Sequence, residues 1–532
     1  MPTVAVLAIR HAGPRADLRL GVGASCIVLA AAILACAALV GPDASWDLRN
    51  YHLYNGYAWL HGRIGLDLAP AQMQTFNVPL QDIGYVLLLQ AFNHMPRLLA
   101  TIMAVPHAVA VVLVLLLARR LLPPWQAFVA ALIGATGAAA LPTLATTMST
   151  MIPAACVLGA VLMLVRTDRA ALSERACFAA GFLGGLAVGL QLTAAPYALG
   201  LAAMLAAGVA PGRRLRVLLY LTGGGLVGAG CTGGFWWWAL WQRFGDPVFP
   251  YFNGFFGSQW ADPASMRDLR FMPRSVLQAL FYPLFWAFAP QTLVIELPTR
   301  DPRLALGWIA VLTLAVRAGW QRPQAGRGAI MLPVFWAVSY VGWEVVFSIL
   351  RYLVVLELLS GVLILLALRP LLARLPAAWQ RACPIVLIAL LIAVTVYPDW
   401  GRAAPGRFAV SAQMPPVPPG TLVVLLDPSP MAYVAAFAPT ETRFVGASNN
   451  LIHPGDHNRL AQAVDIAIRT WRGPLWGLEM PRESPGIADA TLRAYGLRRG
   501  SGCASVQSNL DNNGIQACPL LRIGRGGSFQ SG

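Results

Sequence analysis

Long apolar runs separated by short polar gaps fill most of the chain before residue 400. There are eleven, at 21–40, 98–118, 126–141, 150–165, 176–191, 194–209, 217–241, 304–316, 329–349, 352–368 and 383–397. A helix needs about 20 apolar residues to cross a bilayer comfortably, and several runs are shorter than that. The pattern predicts an α-helical polytopic membrane protein with about eleven transmembrane helices.

Arginines lie in alternate gaps between the runs. Six clusters occur: Arg10/Arg15/Arg19, Arg119/Arg120, Arg166/Arg169/Arg175, Arg213/Arg214/Arg216, Arg317/Arg322/Arg327 and Arg369/Arg374/Arg381. Basic residues favour the cytoplasmic side of a membrane, so the N-terminus is predicted inside and the C-terminus outside. The same distribution accounts for the formal charge of +16 without a nucleic-acid partner.

The first run has an alternative interpretation. It follows a basic stretch, and Ala35-Cys36-Ala37 resembles a signal-peptidase site. The run is longer than the apolar region of most signal peptides, however, and many further runs follow it. We therefore expect a retained first helix.

This topology divides the chain into a transmembrane domain over 1–398 and an outer domain over 399–532. Two further outer segments, 42–97 and 242–303, interrupt the transmembrane domain. Within them, 83–95 is too short to cross and is predicted to lie along the outer interface. The aromatic stretch 276–296 is either a simple aromatic belt or a segment that grips a lipid substrate.

The outer domain has a different composition. A Pro-rich linker, 415–420, precedes alternating strand and helix patterns. Strands are predicted at 421–426, 475–478 and 505–506, and helices at 457–471 and 488–495. These predict a small α/β domain. It has no Gly-rich phosphate loop, metal-spaced His/Cys set or nucleophile motif, which favours a structural or acceptor-positioning role.

Cysteine positions agree with the predicted orientation. Six of the eight lie in or beside apolar runs. Cys503 and Cys518 instead flank a turn-rich stretch between two strand candidates. We predict a disulfide between them, in an oxidising compartment.

Ionisable residues crowd into the loop after the first run. This loop includes Asp47, Arg49, Tyr51, His52 and Tyr54, followed further on by Asp67 and Asp82. If 47–60 is helical, then Asp47, Tyr51 and Tyr54 share a face and point toward a common cavity. The alternative is an interfacial helix whose polar side chains face water.

Two arginines are candidates for binding an anion. Arg351 stands alone between two apolar runs at the predicted outer boundary, where it could clamp a phosphate or, alternatively, pair with Glu344 or Glu357. Arg303, near Asp301, could assist in binding or could cap an outer loop.

The stretches 47–55 (Asp-Leu-Arg-Asn-Tyr-His-Leu-Tyr-Asn) and 77–82 (Asn-Val-Pro-Leu-Gln-Asp), together with the order of helices and outer segments, resemble the GT-C class of membrane glycosyltransferases. The resemblance implies a polyprenyl-phosphate-linked sugar donor, a glycan, lipid or protein acceptor, contact with membrane lipids, and a bacterial cytoplasmic (inner) membrane. Two features depart from the class. The first outer loop has no Asp-x-Asp or Glu-x-Asp pair, which leaves a divalent metal open, and the chain has no Lys to hold a phosphate.

The resemblance also implies that Asp47 is the general base or a close partner of it, because an acidic residue after the first helix has that role in the class. Asp82 is the second candidate and His52 a weaker one. Transfer in a single displacement would invert the anomeric centre. A membrane transporter or lipid flippase is the main alternative, and a non-catalytic scaffold a third, but ionisable residues gather at one face and no internal repeat is evident.

Overall fold

A computed structural model describes residues 21–148, 150–165, 172–263, 268–320, 328–511 and 514–523. The arginine cluster at Arg10, Arg15 and Arg19 therefore lies outside the described residues. So do parts of two other clusters, at 166–171 and 321–327.

Each of the eleven predicted apolar runs overlaps a helix. The helices before the outer domain are α1 (Val22–Leu39), α2 (Leu53–Leu60), α3 (Leu80–Phe92), α4 (Pro96–Met103), α5 (Val105–Leu121), α6 (Pro124–Ala135), α7 (Met151–Leu164), α8 (Glu174–Leu190), α9 (Ala195–Gly208), α10 (Pro211–Ala229), α11 (Phe235–Phe244), α12 (Asn253–Phe256), α13 (Val276–Leu280), α14 (Tyr282–Phe288), α15 (Arg303–Trp320), α16 (Gly328–Val346), α17 (Val354–Leu372) and α18 (Ala377–Val394).

Among the described residues, five helical stretches are long and apolar enough to cross a membrane: Val22–Leu39, Pro96–Leu121, Pro211–Phe244, Leu350–Leu372 and Ala377–Val394. Others, such as α6 and α7, are apolar but shorter. The structure is thus mostly helical with several membrane-length helices, and the predicted number of eleven crossings is not confirmed.

Burial separates a central helix from peripheral ones. In the apolar stretch that contains α17, 83% of the residues are buried inside the protein, against 11% for α18 and 17% for α1. The apolar side chains of α18 and α1 are therefore free to face lipid, whereas those of α17 pack against other helices such as α6 and α15. Residues at the first turn of α17 consequently lie in the middle of the bundle.

The outer part of the chain forms a mixed sheet. Its strands are β2 (Leu422–Leu425), β3 (Arg443–Gly446), β4 (Leu475–Glu479), β5 (Leu497–Arg499), β6 (Ala504–Ser505) and β8 (Gln516–Arg522), while β1 (Ala412–Gln413) pairs with β7 (Gln507–Ser508). The order is β3-β2-β4-β8-β5, with β6 also paired to β8. Strands β3 and β4 run parallel to β2, and β8 runs antiparallel to its neighbours.

Two helices, α19 (Arg459–Thr470) and α20 (Ile487–Ala494), accompany the sheet. On α19, Leu460, Val464 and Ile468 are buried. The predicted strands 421–426, 475–478 and 505–506 overlap β2, β4 and β6, and the predicted helices 457–471 and 488–495 overlap α19 and α20. Strands β3, β5 and β8 were not predicted from the sequence. Cys503 and Cys518 form a disulfide, with Cα atoms 4.1 Å apart.

The loop after α1 is tied to this sheet. Leu68 forms a parallel bridge with Val445 at the edge of β3. Arg63 donates two hydrogen bonds to the Asp67 carboxylate, at 2.9 and 2.8 Å, and others to the carbonyls of Thr440 and Thr442. The sheet therefore holds the loop after α1 in place.

Candidate active site

The loop after α1 enters α2 through a π-helical turn. Asp47 precedes this turn, which covers Leu48–His52, and α2 continues from Leu53. The prediction of helix over this stretch is correct in outline. A π-turn holds more residues than an α-turn, so side chains beyond it point in a different direction from that predicted by α-helical spacing.

Asp47 forms an ion pair with Arg351. Arg351 Nη1 donates to Asp47 Oδ2 at 2.6 Å, across 304 residues of sequence. Arg351 lies on the 3₁₀ turn Leu350–Leu353 that leads into α17. The side chains of Asp47 and Arg351 are only 6% and 18% exposed, so the pair is sheltered from water. In such surroundings a charged hydrogen bond is stronger than on a wet surface.

Arg351 retains capacity for a further ligand. Its Nε is buried and has no hydrogen-bond partner among the described residues. The guanidinium also lies 5.4 Å from the ring centre of Tyr352 and 5.8 Å from that of Trp400. These rings hold the guanidinium without occupying its N–H groups.

Arg351 and Tyr352 also line a small open groove between helices. The rest of the lining comes from the start of α7, the turn before α9, and α17: Thr150, Pro153, Ala154, Gln191, Thr193, Ala194, Tyr197, Val354 and Val355. Most of these side chains are apolar, and a few are short and polar. Arg351 thus stands between the Asp47 carboxylate and a groove of mixed character.

His52 and Asp82 form a second buried pair. His52 Nδ1 and Asp82 Oδ1 are 2.5 Å apart, and each side chain is 4% exposed. The other ring nitrogen, Nε2, is buried and has no partner among the described residues. Burial opposes protonation of the imidazole, but the Asp82 carboxylate and then Asp47 favour it, and the pKa of His52 is raised above its usual value.

Tyr51 lies beside both pairs. Its ring centre is 4.0 Å from that of His52. Burial, followed by the negative charge of Asp47, holds the pKa of Tyr51 well above its ordinary value. Tyr51 is therefore a neutral phenol, able to donate a hydrogen bond but not to act as a base at neutral pH.

Tyr54 does not join this group. Its hydroxyl donates to Asp67 Oδ2 at 3.0 Å, so the predicted common face of Asp47, Tyr51 and Tyr54 is wrong at Tyr54. The π-turn is the physical reason, since it rotates α2 relative to Asp47. Tyr54 and Asn55 instead line a separate cleft beside α11.

Arg49 and Arg303 are also placed elsewhere. Arg49 pairs with Asp511 of the outer domain at 3.3 Å. Arg303 is fully buried and bonded to Asp301 and Thr395 through Nη1, to the Ile133 carbonyl through Nε, and to Thr136 through Nη2. All three guanidinium nitrogens are engaged, so this geometry gives no support to the prediction that Arg303 binds substrate.

Several residues of the site were not singled out from the sequence. Asp43 accepts hydrogen bonds from Ser45 N, Thr147 N and Thr147 Oγ1, which ties the loop to the turn before α7. Trp400 contacts Arg351 from just beyond α18. An aromatic residue directly after the last apolar run could have suggested Trp400, whereas no local spacing connects Asp43 to Thr147.

The arrangement does not fit a metal-binding site. In the part of the chain that the structure describes, no group of three or more His, Cys, Asp or Glu side chains could hold a metal ion. The nearby carboxylates have other partners: Asp43 binds Thr147, Asp47 binds Arg351, and Asp82 binds His52.

Comparison with known proteins gives matches only among solved structures. No protein-family model and no curated protein matches the sequence. The crystal structure of ArnT from Cupriavidus metallidurans bound to undecaprenyl phosphate aligns with 93% of this chain and 97% of its own, at 16% identity and a TM-score of 0.47. The Archaeoglobus fulgidus oligosaccharyltransferase, in complex with Zn and sulfate, aligns with 86% of this chain and 68% of its own, at 14% identity and a TM-score of 0.45.

Both matches have TM-scores below 0.5, so they carry no argument about the function of this chain. At such identities and TM-scores they carry no information on individual side chains. The reaction is therefore inferred from the side chains of this protein itself. That site contains a guanidinium with an unused donor, a carboxylate beside it, and a carboxylate-backed imidazole with an unused nitrogen.

Proposed function

We propose that this protein is a membrane glycosyltransferase that moves a sugar from a polyprenyl-phosphate donor to an acceptor hydroxyl. The buried Asp47–Arg351 pair carries this proposal. It places a carboxylate and a cation side by side, with the cation lining a groove between membrane helices.

Sugar transfer can proceed by a single displacement at this pair. The acceptor oxygen attacks the anomeric carbon while the bond from that carbon to the phosphate oxygen breaks, and the electron pair leaves with the phosphate. Arg351 meets the charge that develops on the leaving phosphate. Asp47 keeps Arg351 in place through Oδ2 and orients the acceptor hydroxyl through its other oxygen. One displacement from the opposite face inverts the configuration.

The proposed setting follows the arginine pattern. The chain is a multi-pass protein of the bacterial cytoplasmic membrane, with the first outer loop and the domain after 399 on the outer side. The acceptor is a glycan, lipid or protein on that side. The connection between loop and sheet through Arg63 and Asp67 supports placing both on the same side.

Binding and transfer by purified variants test the proposal. Arg351→Ala should weaken binding of a polyprenyl phosphate at least tenfold, since a charged hydrogen bond contributes about 1.5–3 kcal/mol. Asp47→Asn should bind the lipid within a few-fold of wild type, yet lose most sugar transfer from polyprenyl-phosphate mannose, aminoarabinose or arabinofuranose to a membrane extract. Arg482→Ala, at an exposed site of the outer domain, is the matched control. Unchanged lipid binding by Arg351→Ala, or normal transfer by Asp47→Asn, would contradict the proposal.

A further inference from the structure

The buried Nε2 atom of His52 takes no part in the donor and acceptor contacts proposed for Asp47 and Arg351. His52 is 3% exposed, and Nε2 has no hydrogen-bond partner among the described residues. A buried polar atom without a hydrogen bond is destabilising, so such atoms usually meet water or a ligand. The other nitrogen is held by Asp82 at 2.5 Å, which fixes the plane of the ring.

Asp47 is poorly placed to accept the proton itself. Its Oδ2 receives the hydrogen bond from Arg351. A proton added to this carboxylate would remove the charge that holds Arg351, at the moment when Arg351 is needed by the leaving phosphate. A base outside the Asp47–Arg351 pair is therefore better suited to accept the proton of the acceptor hydroxyl.

We propose that His52 Nε2 is the general base of sugar transfer and that Asp82 is the residue that positions it. This inference rests on the proposed function and names the base within it. The acceptor O–H gives its proton to Nε2 as its oxygen bonds to the anomeric carbon. Asp82 accepts a hydrogen bond from Nδ1–H, which keeps the lone pair on Nε2 and stabilises the imidazolium that forms. The imidazolium returns its proton to water after the product leaves.

The groups around His52 set the expected pH dependence. Asp82 faces it from α3, Asp47 and Asp43 act on it through their charges, and the Tyr51 ring lies against it. The raised pKa means that His52 is protonated, and inactive as a base, up to a pH above its ordinary value of about 6.5. Activity should therefore fall as the pH drops through this raised value.

The pH profile of kcat/KM distinguishes a base from a structural histidine. His52→Gln should lower kcat by about a hundredfold or more, remove the acidic limb, and leave the binding of a polyprenyl phosphate unchanged. Asp82→Asn should lower kcat, because Nδ1–H loses the carboxylate that orients the ring, and should move the acidic limb of the remaining activity to lower pH, because the charge that favours the imidazolium is gone. His61→Gln is the matched control, since His61 is an exposed histidine at the end of α2 bonded to the Tyr57 carbonyl.

Several results would overturn this inference. His52→Gln that retains the wild-type rate and acidic limb would exclude His52 as the base. If His52→Gln fails to fold, an Asp82→Asn profile identical to that of the wild type would do the same. If Asp47→Asn loses sugar transfer while His52→Gln transfers sugar normally, His52 is not the general base. The proposed glycosyltransferase function would then still stand. Normal transfer by Asp47→Asn, or normal polyprenyl-phosphate binding by Arg351→Ala, would reject the glycosyltransferase site itself.

Discussion

At the scale of single residues, Arg351 and Arg303 show how similar side chains acquire different roles. Both are arginines near the starts of helices, and both were candidates for meeting an anion. Arg351 has one carboxylate partner and an unused buried Nε. Arg303 has every guanidinium nitrogen engaged. Arg351 therefore keeps a donor for a further ligand, whereas Arg303 does not.

Arg303→Met should therefore affect stability. Removing the guanidinium leaves Asp301, which is fully buried, without its cation, and breaking a buried pair in this way costs about 3–5 kcal/mol. We expect a clearly lower unfolding temperature in detergent, with unchanged polyprenyl-phosphate binding per folded molecule. Arg300→Met is the control, because the Arg300 side chain donates one hydrogen bond, to the Val394 carbonyl. If the Arg303→Met protein is stable but no longer binds the lipid, the prediction that Arg303 binds substrate would be supported.

At the scale of elements, α8 and α10 pack by backbone contact. A Cβ added at Gly181 would collide with the Leu221 carbonyl, and one at Gly224 with the Phe178 carbonyl. Such close approach is possible only for glycine and is common between membrane helices. The pattern of small residues predicts this contact only after the partner helix is known.

Gly224→Ala should separate α8 from α10 and lower the unfolding temperature, because backbone atoms cannot move aside as a flexible side chain can. Gly223→Ala is a matched control, since the nearest atom to an added Cβ there is 4.0 Å away. Alanine at 223 should be neutral or slightly stabilising, because it favours helix over glycine. Equal unfolding temperatures for the two variants would contradict the packing argument.

Arg63 strengthens the connection between the loop after α1 and β3. Arg63 joins the Asp67 carboxylate to the carbonyls before β3, and Asp67 Oδ1 accepts from Phe444 N. Arg63→Lys should fail to replace it, because an ammonium cannot form the two parallel bonds to Asp67. We expect faster hydrogen exchange over 440–446 in Arg63→Lys but not in Arg443→Ala, a change on the exposed face of β3. Unchanged exchange in Arg63→Lys would show that the backbone hydrogen bonds between Leu68 and β3 hold the loop without Arg63.

At the scale of the whole molecule, the orientation in the membrane determines which cysteines are oxidised. Cys503 and Cys518 form a disulfide, and the other six cysteines are free: Cys26, Cys36, Cys156, Cys177, Cys231 and Cys383. A disulfide is stable in the oxidising space outside the cytoplasmic membrane and rare inside it. The Cys503–Cys518 disulfide and an outer location of the domain after residue 399 therefore require each other.

Thiol labelling of denatured membranes checks this orientation. Without reductant, six cysteines should react with a maleimide, and Cys503 and Cys518 should react only after reduction. A reporter fused after residue 400 should be active only on the outer side. Eight reactive thiols before reduction, or a reporter active in the cytoplasm, would overturn the topology. Cys503→Ser should also lower the stability of the outer domain by about 3 kcal/mol, the usual effect for a loop of this size.

The sequence by itself determined that the chain before residue 400 is mostly helical, where β2, β4, α19 and α20 lie, and which loop carries the ionisable residues. These features are local, because hydrophobic period, run length and turn residues act over a few neighbours. It also predicted the residues Asp47, Arg351, His52 and Asp82 as candidates, without saying how they pair.

Only the tertiary structure decided the pairing. Arg351 reaches Asp47 from the 3₁₀ turn that leads into the buried helix α17, and no local pattern contains a contact across 304 residues. The π-turn at Leu48–His52 directs Tyr54 to Asp67, although α-helical spacing put it beside Asp47. Arg303 became structural because α6 and the end of α18 supply its partners. The sequence gives the type of each side chain. Which groups remain free for a substrate depends on their neighbours, and only packing brings those neighbours together.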